Sequence, residues 1–213
     1  MKQETIIHPI PPLYREDSQI LILGSFPSVK SREAAFFYGH PQNRFWKVMA
    51  AVFGDTVPAD VQEKRAFLIR HRVAAWDVIH SCTITGSSDA SIRDVVPNDL
   101  TVILDHAPIR QIFVNGKTAH KMYRKYIEPV TGRPAVCLPS TSPANAAWNL
   151  EKLTEAWKVC AGASLVIFSS VQDHKAPVDL LEHENARHEM RESEVRELPA
   201  DTRSSEKGRG RSQ

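Results

Sequence analysis

The chain has 213 residues, of which 42% are hydrophobic, with 27 Lys/Arg against 25 Asp/Glu. That length suits one domain with a sizeable core, or one domain and a tail. No apolar run approaches the roughly 18 residues of a membrane helix, no signal-peptide core follows Met1, and Cys82, Cys137 and Cys160 are too few and too scattered for a disulfide framework, a structural zinc site or an iron–sulfur cluster.

The predicted elements alternate. Gln19–Leu23 is a continuous apolar run closed by Gly24, the pattern of a buried parallel strand. Residues 43–53 carry Phe45, Trp46, Val48, Met49, Val52 and Phe53 at helical spacing, and Gly54 stops the helix. Val61–His71 reads as a second helix and Val73–Ile79 as a second strand. Gln111–Val114 is a third strand, followed by Asn115-Gly116 and a helix from Lys117 to about Tyr126. Ala135–Leu138 is a fourth strand, and Pro143 to about Val159 a last helix. This order predicts an α/β fold, a three-layer α/β/α sandwich around a mostly parallel four-stranded sheet with right-handed crossovers.

No linker interrupts residues 15–165, so residues 1–165 read as one domain. The segment 171–213 is rich in Glu, Arg, Ser and His and reads as a charged, disordered tail, in which Asp179–Leu198 could form a thin-faced helix; the alternative is an extra contact for DNA or a partner protein. From Val171 onward there are 8 Lys/Arg and 10 Asp/Glu, a net of −2, which leaves the body at +4. A mildly basic body is compatible with phosphate binding. With no leader or span in view, the chain reads as cytoplasmic, or nuclear in a eukaryote.

Several strings carry groups suited to chemistry. In Gly24-Ser25-Phe26-Pro27-Ser28 the glycine permits tight geometry and the proline pins the turn, so backbone N–H groups can hold a base carbonyl or an anion; a plain turn has the same composition. Asn43 reads both as an N-cap and as a donor–acceptor for a base edge or a water. Phe36, Phe37 and Tyr38 offer a stacking face or core packing, and three consecutive aromatics cannot all face inward. Phe45 and Trp46 read as core. His40 and Arg44 are either cations near phosphate or ordinary structural and solvated residues. Asp77 ends an apolar run, where a carboxylate either bonds loop amides or activates water. Gly86-Ser87-Ser88-Asp89 caps a helix or binds phosphate there. Ser140-Thr141-Ser142-Pro143-Ala144-Asn145 offers hydroxyls and amides for phosphate contacts, with Pro143 in a first helical turn. The first and last of these loops follow strands and so share the carboxyl edge of the sheet, where such folds bind ligands. The layout suits a pocket for a flat polar ring with a nucleic-acid backbone passing it.

These strings, in this order, resemble the uracil-DNA glycosylase superfamily, in its hypoxanthine-DNA (DNA-deoxyinosine) glycosylase branch. The resemblance rests on Leu23–Ser28, on Tyr38-Gly39-His40-Pro41-Gln42-Asn43-Arg44-Phe45-Trp46, on Ala75–Ile79 with Cys82, on Gly86–Asp89 with Ile92, on Val114–Lys117 and on Leu138–Asn145. It covers about residues 10–165. Phe26 stands where the mismatch-specific enzymes carry Asn and the uracil-specific ones their catalytic Asp, and Ser28 replaces a usual Gly. The last motif lacks the His-Pro-Ser form of the uracil-specific enzymes.

The resemblance implies flipping of a deaminated base from DNA, hypoxanthine before uracil or thymine, and hydrolysis of its N-glycosidic bond. Asn43 and the backbone amides of Ser25 and Phe26 would be catalytic, with Asn43 or a backbone carbonyl holding the attacking water. Gly24, Phe37, Tyr38, His40 and Asn115 would bind the base. Ser87, Ser88, Ser140, Ser142, Pro143, Ala144 and Asn145 would contact DNA, with Ala144 or Asn145 entering the vacated stack. No lysine in the motifs stands as an obvious Schiff-base nucleophile, so a monofunctional enzyme is expected, acting as a monomer without metal or cofactor and without a membrane partner. The competing readings are uracil or thymine-mismatch specificity and a catalytically quiet nucleic-acid-binding module.

Overall fold

The computed structural model describes residues 3–85 and 88–164. Ser87 and the charged segment 171–213 lie outside the described residues. In chain order the elements are β1 (Gln3–Ile7), β2 (Ile20–Gly24), α1 (Val29–Glu33), α2 (Phe45–Phe53), α3 (Val61–Arg70), β3 (Val73–Asp77), β4 (Ile79–Thr85), a 3-10 turn (Asp89–Ser91), β5 (Arg93–Pro97), α4 (Thr101–Leu104), β6 (Gln111–Asn115), α5 (Lys117–Tyr126), α6 (Glu128–Thr131), β7 (Ala135–Leu138), α7 (Leu150–Trp157) and α8 (Val159–Ser164).

Four strands form the central sheet in the order β3-β2-β6-β7, every pair parallel. β2 is buried at every position, as a parallel strand covered on both faces must be. Its side chains alternate between two cores. Ile20 and Ile22 join Phe45, Met49, Phe67 and Trp157 from α2, α3 and α7. Leu21 and Leu23 join Ile103 and Tyr123 from α4 and α5, together with Cys82 and Ile84 of β4. The three-layer α/β/α architecture with a four-stranded parallel sheet is the one the alternating pattern predicts.

The chain leaves β2 toward β3 on one side and returns through β6 on the other. The carboxyl ends of β2 and β6 therefore flank a switch point, where a crevice opens in folds of this kind. Gly24 pairs with Asp77, and Asn115 with Leu138, so all four parallel strands end along one rim.

Four expectations need correction. Val73–Ile79 is not one strand: β3 ends at Asp77, Val78 N–H turns back to Gly24 O, and Ile79 starts a strand of another sheet. That second sheet, antiparallel β1-β4-β5, was not predicted; bulges between β4 and β5 shift the inward face and blur the alternation. Asp89–Ser91 forms only a 3-10 turn, so no helix starts at Ser88 or Asp89. The last helix begins at Leu150, capped by Asn149, and not at Pro143. The stretch between is held as turns: Ser142 O and Asn145 O accept from Asn145 and Trp148 N–H, and with Trp148 O they also accept from the Arg44 guanidinium.

Candidate active site

A cavity of about 510 Å³ opens at the rim of the parallel sheet. The β2 loop, Gly24 to Ser28, supplies one side, with its Gly24 and Ser25 carbonyls tied to Val78 and Ile79 N–H. Phe37, Tyr38, His40 and Asn43 come from the segment before α2. Asp77 and Asn115 stand at the ends of β3 and β6. Ser140, Ser142, Pro143 and Ala144 close the remaining side, and Ser88 reaches it from the second sheet. Three strings far apart in sequence thus meet in one crevice. Asn145 does not line it; its side-chain amide donates to Ser140 O at 2.9 Å and holds the loop.

One wall is a closed hydrogen-bond chain. Thr141 N–H donates to Asn115 Oδ1 at 3.0 Å, and Phe45 N–H donates to Asn43 Oδ1 at 3.0 Å. Backbone donors therefore fix both amide orientations. Asn115 Nδ2 then donates to Thr141 Oγ1 at 2.9 Å, so the single Thr141 hydroxyl hydrogen goes to Asn43 Oδ1, also at 2.9 Å. Thr141 is fully buried. Both acceptor positions of the Asn43 oxygen are filled, whereas its Nδ2 has no acceptor among the described residues. Asn43 offers the cavity a donor and no acceptor. A water-holding role for its oxygen does not fit this geometry. Asn43 also does part of the cap work expected of it, although the residue preceding α2 is Arg44.

Arg44 is neither a phosphate cation nor a solvated residue. Its side chain donates to the carbonyls of Thr141, Ser142, Asn145 and Trp148, and its backbone N–H donates to Thr141 O at 3.1 Å. A planar guanidinium with several donors can gather carbonyls in this way. It sets the shape of the loop whose tip, Pro143-Ala144, is exposed.

The floor is arranged differently. Asp77 is 5% exposed, and its Oδ2 accepts from His8 Nε2 at 2.8 Å. Ile10 N–H donates to His8 Nδ1 at 3.2 Å, so Nε2 is the nitrogen that carries the proton toward Asp77. A Cβ on Gly24 would lie 2.2 Å from Asp77 Oδ1, so only glycine admits the carboxylate there. Tyr38, at φ +52°, stacks on Phe45 with ring centroids 3.7 Å apart. Its hydroxyl is buried without a hydrogen-bond partner among the described residues. Burial, with the Asp77 carboxylate adding to it, pushes the phenol far above its usual range; Asn115 approaches closely enough to oppose the rise without reaching hydrogen-bond geometry. Tyr38 remains a donor at any working pH.

Other placements complete the account. Phe36 and Phe37 are both buried; Phe36 stacks on Trp46 in the core, while Phe37 and Tyr38 reach the cavity. The Phe26 ring is 8% exposed, edge-on to His8 at 5.8 Å, and leaves the crevice open. His40 Nδ1 accepts from Gln42 N–H. Gly116, at φ +97°, brings β6 so close to Ser140 that a Cβ would sit 2.9 Å from the Ser140 Cβ. Lys30 also lines the cavity, with its ammonium paired to Glu33 at 2.8 Å. Sequence reasoning missed His8, Lys30 and the linking role of Thr141. Thr141 at least lay inside a string already singled out.

A profile of the Uracil DNA glycosylase superfamily matches residues 11–161. The Hypoxanthine DNA glycosylase of Methanosarcina acetivorans is 32% identical over 147 residues, which span 68% of this chain and 92% of that protein. That of Methanosarcina barkeri is 33% identical over 109 residues, spanning 50% of this chain and 69% of that protein. A solution NMR structure from Methanosarcina acetivorans, described as a candidate uracil DNA glycosylase, matches with a TM-score of 0.64 at 30% identity over 74% of this chain and 99% of that one. Fold, rim crevice and relatives define a DNA glycosylase, a hydrolase of N-glycosyl bonds that takes DNA as substrate. The chain belongs to the Uracil DNA glycosylase superfamily, alongside the two archaeal hypoxanthine enzymes. Among the described residues no helix is long and apolar enough to cross a membrane.

Proposed function

We propose that this chain excises hypoxanthine from DNA as a monofunctional glycosylase, leaving an abasic site. A base inside a duplex is out of reach, so it must be flipped, at a cost of about a few kcal/mol that is least for a poorly paired base. Deaminated adenine opposite thymine is such a base. The exposed Pro143-Ala144 tip, held by Arg44, is positioned to press on the backbone with Ser140 and Ser142, and Ala144 to fill the vacated stack. Ser88 adds a hydroxyl from the opposite rim.

The observation that carries the mechanism is the state of Asn43: acceptor oxygen saturated, amide donor open. As the glycosidic bond breaks, negative charge gathers on the departing base, and a preorganised donor in a water-poor pocket stabilises it. Asn43 Nδ2 takes that role, supported by backbone amides of Ser25 and Phe26. The Phe37 and Tyr38 rings flank the base, and His40, Gly24 and Asn115 complete its surroundings. The cavity's lysine, Lys30, is occupied with Glu33, which supports hydrolysis over Schiff-base chemistry.

Full-length protein is incubated with duplexes holding one hypoxanthine, one uracil, or one thymine opposite guanine, and each is then heated in alkali. Strand scission at hypoxanthine, with none before alkali, is the expected result. An intact hypoxanthine strand alongside cleavage at uracil or thymine moves the specificity, and binding without scission anywhere refutes catalysis.

A further inference from the structure

We propose that His8 is a positioning residue of this reaction: its bond to Asp77 directs the second carboxylate oxygen into the pocket, where that oxygen and the Tyr38 hydroxyl select the N–H and C=O edge that deamination creates. The inference rests on the base-excision reading of the pocket and deepens it.

His8 follows β1, which pairs with β4 in the unpredicted sheet, and both precede residue 11, where the superfamily match begins. The His8 backbone N–H donates to His80 O at 2.6 Å, while its ring takes the Ile10 N–H at Nδ1 and has Phe26 and Trp76 packed edge-on against it at 5.8 and 6.2 Å. With its side chain 1% exposed, His8 touches no substrate and acts only through Nε2 on Asp77. One carboxylate oxygen is thereby fixed, and the other rests against Gly24 without a donor among the described residues.

Buried polar atoms almost always find partners, and a carboxylate oxygen left bare is costly. One such polar atom, the Tyr38 hydroxyl, sits here next to Asp77, whose Oδ2 alone is taken by His8. The Tyr38 hydroxyl is unpartnered and lies 3.6 Å from where a Gly24 Cβ would start, beside the Asp77 oxygen. Both residues line the cavity. An acceptor next to a donor matches a ring N–H next to a carbonyl. Deamination of adenine or cytosine replaces an amine and a ring lone pair by a carbonyl and a ring N–H. The undamaged base would set its lone pair against the carboxylate. A site built to hydrogen-bond its ligand rejects strongly an analogue that cannot reciprocate.

The test compares the full chain with His8→Phe, which keeps an aromatic ring but no donor, and His8→Gln, whose amide nitrogen can replace Nε2. Single-turnover excision of hypoxanthine is measured beside affinity for a duplex carrying a tetrahydrofuran abasic analogue, which has no base to read. Excision by His8→Phe is expected to fall about 30-fold, the scale of a lost charge-assisted hydrogen bond, with abasic-analogue affinity within about twofold of the parent. His8→Gln should recover most of the rate. Unchanged excision in His8→Phe overturns the inference. So does a parallel loss of abasic-analogue affinity, or a Gln variant no better than Phe, since each marks a merely structural histidine. Failure of the underlying reading is separate: it shows in the parent protein, as an intact hypoxanthine strand.

Discussion

The two sides of the pocket handle polar groups in opposite ways. On the Asn43–Thr141–Asn115 wall nearly every acceptor is met by a donor within the protein, and the one group left over is Asn43 Nδ2. On the His8–Asp77–Tyr38 floor the phenol is buried with no partner among the described residues, beside a carboxylate of which only Oδ2 is taken, by His8. A satisfied network fixes geometry before substrate arrives, which is what charge stabilisation in a transition state requires. An unsatisfied group is stabilised only when ligand or water supplies its complement, which is what selectivity requires. In the proposed mechanism the wall governs the rate of bond cleavage, and the floor governs which base is held.

The largest effect should come from the wall. Asn43→Ala removes the open donor and should lower single-turnover excision by about 100- to 1000-fold, with unchanged circular dichroism. Gly24→Ala attacks the floor: a Cβ 2.2 Å from Asp77 Oδ1 must displace the carboxylate. Overpacking of this kind costs about 1–3 kcal/mol; a lower melting midpoint together with slowed excision checks it. Thr141→Val should cost about 1–3 kcal/mol by leaving Asn115 Nδ2 without its acceptor and Asn43 Oδ1 with one donor in place of two and slow excision several-fold, whereas Thr141→Ser keeps the hydroxyl and should restore both. If valine leaves both measurements untouched, the wall does not owe its order to this chain of bonds.

The smallest effect lies away from both sides. Hydrogen bonds from Arg70, then His71, hold the Asp55 carboxyl well below its usual range. A carboxyl depressed in the folded state adds stability at pH values above its unfolded range and loses it as pH falls. Asp55→Asn should lower the melting temperature slightly at neutral pH, the difference should start to shrink below about pH 4 and close only as pH falls through the depressed folded-state range, and excision should not change. A half-buried ion pair near the surface contributes little, so a change in excision would show that the two sides of the pocket are not the whole site.

The wall was far more legible than the floor. Gly24, Asn43, Ser140 and Pro143 sit in strings that follow strands or precede a helix, so strand periodicity alone brings them to one rim. The floor depends on His8 meeting Asp77, 69 positions later in the chain. Ile6-Ile7-His8-Pro9 shows no periodicity to mark β1 as a strand, and the strand that receives it was itself hidden by bulges. Arg44 was misread because its partners are backbone carbonyls, which leave no trace in side-chain identity. Turns through the same carbonyls occupy the stretch where a helix was predicted from Pro143, and the helix starts only at Leu150. Cys82 and Cys160 are buried and Cys137 is exposed.

The most direct test of this account is single-turnover excision of hypoxanthine by Asn43→Asp. Aspartate keeps the acceptor oxygens, adds a charge and loses the Nδ2 donor. If Asn43 stabilises the departing base anion, Asn43→Asp is as inactive as Asn43→Ala. Activity equal to or above that of the unmodified protein would mean that the residue works by accepting from water, and would contradict the assignment.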